Sequence, residues 1–424
     1  MEIIKVLNED WELLKFEDCI VNLSTGLNPR NNFSLGNGEI KYITAKNLTE
    51  YGTIDFSKCD YIDQQAKKTI NKRSNIKAGD ILFSSRAPIG HCHLIKEDPD
   101  FYDIGESIFS IKVNNDIVIP EYMCLYLASE LFVSAASKHV TGSIIQEIRI
   151  GDLMNTMVVV PPINVQRSIS KCINMIDRKI ALNTSINDNL AQYANMIYDY
   201  WFTQFDFPDS KEKPYKSSGG TMTFSSVLGK DIPIGWNVVP LGNIAKMCTE
   251  SITPQAGTIY KHYSIPAFDD SKLPKIEDGA EIDSSKYLVP SNTILVSKLN
   301  PQFKRIWFVN EADNTSICST EFLPFCNYGV PVEYLHGVLN SAAYHKYMIQ
   351  CSSSSTGSRK RMPPELCLTY NVVLPPISVM EAYSNKLRSV LEHMSNLLYE
   401  NASLKATRNH LLPLLMSGQA TIAD

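Results

Sequence analysis

The chain has 424 residues, 44% hydrophobic and 20% charged, an ordinary globular composition with length enough for two or three domains. A net charge of -5 excludes a protein that is basic throughout, so any polyanion site must be local. The N-terminal MEIIKVLNEDWELLKFED lacks the layout of a signal peptide, no apolar run reaches membrane-span length, and the ten cysteines contain no CxxC pair, so a cytoplasmic chain with reduced thiols and no membrane contact is expected.

In chain order, DWELLKFEDCI at Asp10 opens a segment of short β-rich runs, YITA, DILFSS and IFSIKV, followed by the helical PEYMCLYLASELFVSAAS. Lys67, Lys68, Lys72, Arg73 and Lys77 stand together with no acid from Gln64 to Gly79. Such a run fits a phosphate contact, although most charge runs are solvated faces. His91 and His93 flank Cys92, a weak metal pattern without a distant fourth ligand. Thr141-Gly142-Ser143, followed by Gln146, offers small hydroxyls and backbone amides for phosphates or base edges; the bland reading is a polar loop.

At Pro161-Pro162 the pattern changes to a helical period. Positions 169, 173, 176, 180, 183, 187, 190, 194, 197 and 201 read Ile, Ile, Ile, Ile, Asn, Asn, Leu, Ala, Ile, Trp at 4-3 spacing, a coiled-coil seam. Pro208 and KEKPYKSSGG end it and read as a linker. From GWNVVPLGNIA at Gly235 the plan repeats: TILVSK and RIWFV, a helical VEYLHGVLNSAAYHKYMIQ, a second Thr356-Gly357-Ser358 followed by Arg359, Lys360 and Arg361, and then Pro375-Pro376-Ile377, 214 residues after Pro161-Pro162-Ile163. The second stripe, Tyr383, Leu387, Val390, Met394, Leu397, Asn401, Leu404, Arg408, Leu411 and Leu415, falls at the same offset.

If a pseudo-two-fold axis relates the copies, the helices run antiparallel. The centred register then pairs Ile169 with Leu415, Ile180 with Leu404 and Trp201 with Tyr383, with one polar layer of Asn183 against Asn401 and with Arg408 opposite Ile176. Ile173, Ile180, Asn183, Asn187, Leu190, Leu387, Leu397, Asn401 and Leu404 are the expected seam. Ser378 with Glu381 reads as a capping box, Asn164 takes the matching cap position, and Pro413 is expected to fray or kink the second helix.

The sequence has no G-x-x-x-x-G-K-[ST], G-x-G-x-x-G opening a helix, G-x-S-x-G or H-E-x-x-H. Three readings compete: a DNA-specificity protein, a coiled-coil scaffold that binds only proteins, and an enzyme with an unrecognised site. The scaffold leaves the lysine run and the TGS loops idle.

The order TGS loop, VVVPPINVQ, long helix, YWFTQFDFP, KPYKSSGG, DIPIGW, second variable domain, VVLPPISV, long helix and final LLPLLMSGQATI resembles the specificity subunit of type I restriction-modification systems over essentially the whole chain. The phrase from Tyr260 to Phe308 is similar in style to target-recognition domains of that family. The resemblance implies an α/β fold: target-recognition domains at 1–160 and 231–374, spacer helices at 161–207 and 375–424 forming an antiparallel coiled coil, and a linker at 208–230. It also implies a non-catalytic chain whose two domains each read one half of a bipartite double-stranded DNA target, while the helices space them and dock DNA methyltransferase subunits. A restriction endonuclease/translocase subunit completes the complex, and S-adenosylmethionine, ATP and Mg belong to the partners, with no cofactor in this chain. Candidate DNA contacts are Lys67, Lys68, Lys72, Arg73, Lys77, Ser84, Arg86, Ser143 and Gln146 in the first domain, and Lys261, Lys298, Lys304, Arg305, Ser358, Arg359, Lys360 and Arg361 in the second.

Overall fold

The computed structural model describes residues 10–50, 52–137, 147–353 and 359–422. The chain divides into two compact units, residues 1–180 with 404–424 and residues 181–403, so each unit holds one globular domain and a share of both long helices.

In the first unit the opening strand Glu12–Lys15 pairs antiparallel with Met157–Val160, Glu12 opposite Val160. An antiparallel sheet follows in the order Ile20–Thr25, Ile108–Val113, Ile81–Ser84, Cys92–Leu94. A second sheet places Ile40–Ile43 between Asp60–Ile62 and Tyr102–Ile104, the latter pair parallel. All four residues of Ile81–Ser84 are buried: Ile81 and Phe83 face the main core, and Leu82 faces a smaller one. This two-sided burial explains why ILFS is a continuous apolar run rather than an alternation. Phe16, Phe83, Tyr122 and Phe132 share the main core with Ile169, Ile173, Leu412 and Leu415 of the long helices. His91 and His93 belong to no group of three or more potential metal ligands among the described residues. Their Nδ1 atoms meet the carbonyls of Leu48 (2.6 Å) and Gly52 (2.7 Å), so they pin a loop to the sheet.

The second unit repeats the plan. Asn237–Pro240 pairs with Asn371–Leu374, and a four-stranded sheet runs Ala245–Met247, Phe322–Tyr328, Thr293–Ser297, Ile306–Val309. The other sheet has the order Ser251–Ile252, Lys286–Leu288, Ser316–Cys318, Ile259–Tyr263, Lys275–Asp278, which is the three-stranded sheet of the first unit with two strands added. Its parallel pair, Ile259–Tyr263 with Ser316–Cys318, occupies the matching place. Tyr122 donates to the Val159 carbonyl in one unit and Tyr334 to the Val373 carbonyl in the other. Two features depart from the sequence reading. Residues 208–230 are folded: Met222–Ser225 forms a hairpin with Lys230–Pro233, and Tyr215 stacks on Phe207 at 4.7 Å. Cys248 and Cys326 are joined as a disulfide, with Cα atoms 5.9 Å apart.

The long helices span Ile163–Tyr198 and Ile377–Met416. Both begin one residue after a Pro-Pro pair. The Pro162 carbonyl accepts from Gln166 N (3.0 Å) and the Pro376 carbonyl from Met380 N (3.3 Å). Proline has φ preset for a helical start and no N–H to satisfy, so Asn164 and Ser378 lie inside the first turn and the expected caps do not form. Gln166 is fully buried; its amide accepts from Ile119 N and donates to the carbonyls of Ile117 and Pro161, bolting the helix to its domain. The first helix ends in a π-helical turn, Asp199–Thr203, and the second continues through Pro413 for three residues rather than ending there.

Within the second unit, contacts descend along one helix as they ascend along the other, so the pair is antiparallel. Asn183 meets Glu400, Asn187 meets Met394, and the ring of Trp201 lies 5.8 Å from that of Tyr383. The levels agree with the expected register, but the polar layer differs. Asn183 Nδ2 donates to the Glu400 carboxylate (2.8 Å), and Asn401 Nδ2 donates to Thr184 Oγ1 (3.3 Å). A carboxylate is a stronger acceptor than an amide carbonyl, so the Asn–Asn pair is not made. Asn187 Nδ2 donates to the Met394 carbonyl at 2.8 Å. In the first unit Arg408, expected opposite Ile176, is buried against Asp177 (2.6 Å). Burial raises the Asp177 pKa despite the arginine, so desolvation outweighs the pairing.

Two stability outcomes follow. Among the described residues Asn183 Oδ1 is buried without a hydrogen-bond partner while Glu400 is exposed, so Asn183→Leu raises stability by about 1 kcal/mol in denaturant melts. Arg408→Ala leaves Asp177 half-buried and without its arginine and costs about 3 kcal/mol, much of which the double change Asp177→Leu with Arg408→Met recovers.

Candidate nucleic-acid interface

The lysine run of the first domain builds the helix Gln64–Asn71, capped by the Asp63 carboxylate on Ala66 N (2.8 Å) and seated by buried Ala66 and Ile70. Lys67 is spent internally, its Nζ donating to the carbonyls of Pro99 (2.7 Å) and Asp100 (2.8 Å). Lys77 pairs with Asp98 at 3.3 Å. Lys68, Lys72 and Arg73 are exposed and have no side-chain partner among the described residues. Their place at the helix C-terminus also suits the helix dipole, which is the bland account of them.

Two further candidates are structural. Ser84 is fully buried; its hydroxyl donates to the Pro88 carbonyl and accepts from His91 N (2.9 Å), shaping the turn after the strand. It cannot touch DNA from there. Arg86 Nη1 donates to Glu106 (2.8 Å), and its Nε lies 3.1 Å from Glu147. Burial raises the Glu106 pKa, but hydrogen bonds from Arg86 and Asn28 outweigh it and hold the carboxyl below its ordinary value. Ser143, Gln146 and Ser358 lie outside the described residues.

The second domain shows the same division. Lys261 pairs with Asp313 (2.7 Å), a hydrogen bond that holds the aspartate far below the carboxylate range. Lys304 donates to the Asn340 carbonyl, and burial lowers its pKa. Arg305 binds Asp269 through two bonds of 2.6 and 2.8 Å, and Arg361 binds Glu321 at 2.7 and 3.1 Å. Lys298, Arg359 and Lys360 keep side chains without a partner among the described residues, and two loops bring them together. Asn300, at a φ of 48°, donates from its backbone to the Lys360 carbonyl (2.7 Å) and accepts Lys360 N on its side chain (3.0 Å). Phe303 on the same loop is 57% exposed.

One residue escaped the sequence reading. Lys41 occupies in the first domain the sheet position that Lys261 holds in the second, since each stands on the strand with both an antiparallel and a parallel neighbour. Its ammonium lies 4.7 Å from the Phe56 ring centroid and 5.9 Å from that of Phe101, which is 52% exposed. Aligning IKYITA at Ile40 with YKHYSIPA at Tyr260 is the signal that would have found it. A cation among exposed rings suits a stacked base or a phosphate.

The two domains therefore form a pair of similar folds that carry different surface cations. Residues 8–192 match the family described as type I restriction modification DNA specificity domain. The chain is 25% identical to the type I restriction enzyme MjaIX specificity subunit of Methanocaldococcus jannaschii, over 98% of this chain and 95% of that protein. It is 22% identical to the HindI specificity subunit of Haemophilus influenzae, over 84% and 88% respectively. The crystal structure of the type I restriction-modification S subunit from M. genitalium shares the fold with a TM-score of 0.57 at 14% identity, covering 97% of this chain and 98% of that one. Along nearly its whole length the chain is similar to type I restriction-modification specificity subunits. No helix among the described residues is long and apolar enough to cross a membrane.

The first domain also carries a buried acid beside this surface. Asp103 stands opposite Tyr42 and is fully buried; one oxygen accepts Ile104 N (2.8 Å), the other has no hydrogen-bond partner among the described residues, and burial pushes its pKa to about 7. A folded pKa above the unfolded one gives stability that is fully present below about pH 4 and lost as pH rises through 7. Asp103→Asn is expected to raise stability at pH 8 by up to about 4 kcal/mol and by less at pH 5, measured by denaturant melts at both pH values.

Proposed function

We propose that the chain is the DNA-reading subunit of a type I complex, each domain contacting one half of a bipartite duplex target. The observation that carries this reading is the repetition of one topology with different free cations: Lys68, Lys72 and Arg73 in the first domain, Lys298, Arg359 and Lys360 in the second. One scaffold written twice with two surfaces suits two half-sites of different sequence. The negative overall charge leaves phosphate neutralisation to these local groups and to partner subunits.

The helices supply the partner surface in this reading. On the first helix Leu182, Tyr193 and Met196 are exposed, and Tyr200 follows in the π-helical turn; Met196 is 69% exposed. Tyr193, Met196 and Tyr200 are three and four residues apart and share one face, the pattern of a helix awaiting another helix. The occupant we infer is a DNA methyltransferase subunit, with the endonuclease/translocase joining the assembly. S-adenosylmethionine, ATP and Mg belong to those partners, and catalysis to them rather than to this chain.

The test is methylome sequencing of cells that carry the chain with its methyltransferase partner. Replacing Lys68, Lys72 and Arg73 with Gln weakens recognition of one half-site only, and the same change at Lys298, Arg359 and Lys360 weakens the other. Each lost phosphate contact lowers the salt slope of DNA binding by about 1. One cluster altering both halves would overturn the assignment, and normal methylation after both changes would favour a scaffold without DNA contact. Inserting residues after Ile163 is expected to change the unread gap or abolish methylation, with both half-sites keeping their identity.

A further inference from the structure

Arg86 and Arg361 look at first like DNA contacts, but their surroundings point elsewhere. In each domain the chain segment that follows the TGS sequence returns to the end of the same central strand. Ile148 N donates to the Ser85 carbonyl (2.9 Å) in the first, and Met362 N to the Lys298 carbonyl (3.0 Å) in the second. Ile148 and Met362 are both buried. Isolated antiparallel bridges join Arg86 to Glu147 and Leu299 to Arg361 at matching positions. A third segment closes the arrangement: Ser85 N donates to the Ser107 carbonyl (3.0 Å), and Lys298 N to the Glu321 carbonyl (2.9 Å).

An arginine beside this bridge meets a carboxylate in both domains, but from opposite sides: from the strand end in the first, where the second has Leu299, and from the returning segment in the second. In the first, the arginine stands at the strand end, and the acids are Glu147 on the returning segment and Glu106. In the second, the arginine is Arg361 on the returning segment, and the acid is Glu321 beside the strand end, met by Arg361 Nε and Nη2. A phosphate contact has no reason to move from one side of a bridge to the other while keeping a carboxylate partner. A clamp requires only that an arginine and a carboxylate on different segments meet, and in the second domain bidentate pairing adds the geometric restraint.

We propose that Arg86 and Arg361 are positioning residues: each locks the returning segment onto the central strand and so sets the recognition surface of its domain without touching DNA. This rests on the half-site reading above, and it reassigns two arginines that the sequence placed among the DNA contacts.

The second domain offers the cleaner experiment, since Arg361 and Glu321 form one pair. Full-length chain in complex with its methyltransferase is compared as parent, Arg361→Gln, Glu321→Gln and the exchange Glu321→Arg with Arg361→Glu. The readouts are methylation at each half-site, the salt slope of DNA binding, and a thermal melt of each variant. A clamp predicts that both Gln variants reduce recognition of the second half-site by about fivefold, leave the first half-site and the salt slope unchanged, and are rescued by the exchange. A direct phosphate contact predicts the reverse: Glu321→Gln frees Arg361 and keeps or strengthens binding, Arg361→Gln lowers the slope by about 1, and the exchange stays defective. That result would overturn the proposal. Should Arg361→Gln fail to fold, Glu321→Gln still decides, because the two models assign it opposite signs. A parent complex that methylates no bipartite sequence overturns the half-site reading itself, and is recognised because the parent fails before any variant is considered.

Discussion

A closing strand that runs into two prolines governs each half of this protein. Met157–Val160 completes a ladder with the opening strand Glu12–Lys15, and Pro161 and Pro162, lacking N–H groups, cannot prolong it. The Pro162 carbonyl instead accepts the first bond of a helix. The same event follows Asn371–Leu374 at Pro375 and Pro376. Because the helix starts without an intervening loop, its phase is set by the sheet, and with it the stripe that meets the other helix. Ile173 and Leu387, at aligned places on the two helices, are both buried.

What could be read in the sequence was what depends on periodicity. A 4-3 apolar spacing sustained from Ile169 to Trp201 permits few alternatives, and an internal copy at fixed offset gives direction and register together. What could not be read was choice among local partners. Asn183 and Asn401 reach the expected level, yet each amide found a neighbour one residue away, Glu400 and Thr184. Ser378 with Glu381 has the spelling of a capping box, but the proline before it had already begun the helix. The polar stretch after Pro208 was legible as a break in the helix, whereas the stacking of Phe207 on Tyr215 that folds it is a tertiary contact.

The candidate DNA contacts show the same limit more sharply. Charge is visible in a sequence and neutralisation is not. Arg305 meets Asp269, Arg361 meets Glu321 and Lys67 meets the Pro99 and Asp100 carbonyls, all across separations that no local pattern announces. These pairings leave a smaller set, in which Lys298 and Lys360 are held on neighbouring loops while Lys68, Lys72 and Arg73 stand on a short helix. The domains thus share a frame and diverge at the surface, and the two extra strands of the second, Ser251–Ile252 and Lys286–Leu288, widen one of its sheets without disturbing the rest.

The seats of the two long helices differ in kind. Gln166 fixes the first through three hydrogen bonds to its domain, whereas Met380, at the aligned position, seats the second by apolar contact in the core that contains Tyr383. Apolar burial carries a large heat-capacity change and weakens on cooling; a directional amide clip does not share that dependence. One repeated design thus roots its two helices differently, the first by a directional amide clip added to the apolar contacts of Ile169 and Ile173, the second by apolar contact at the aligned position.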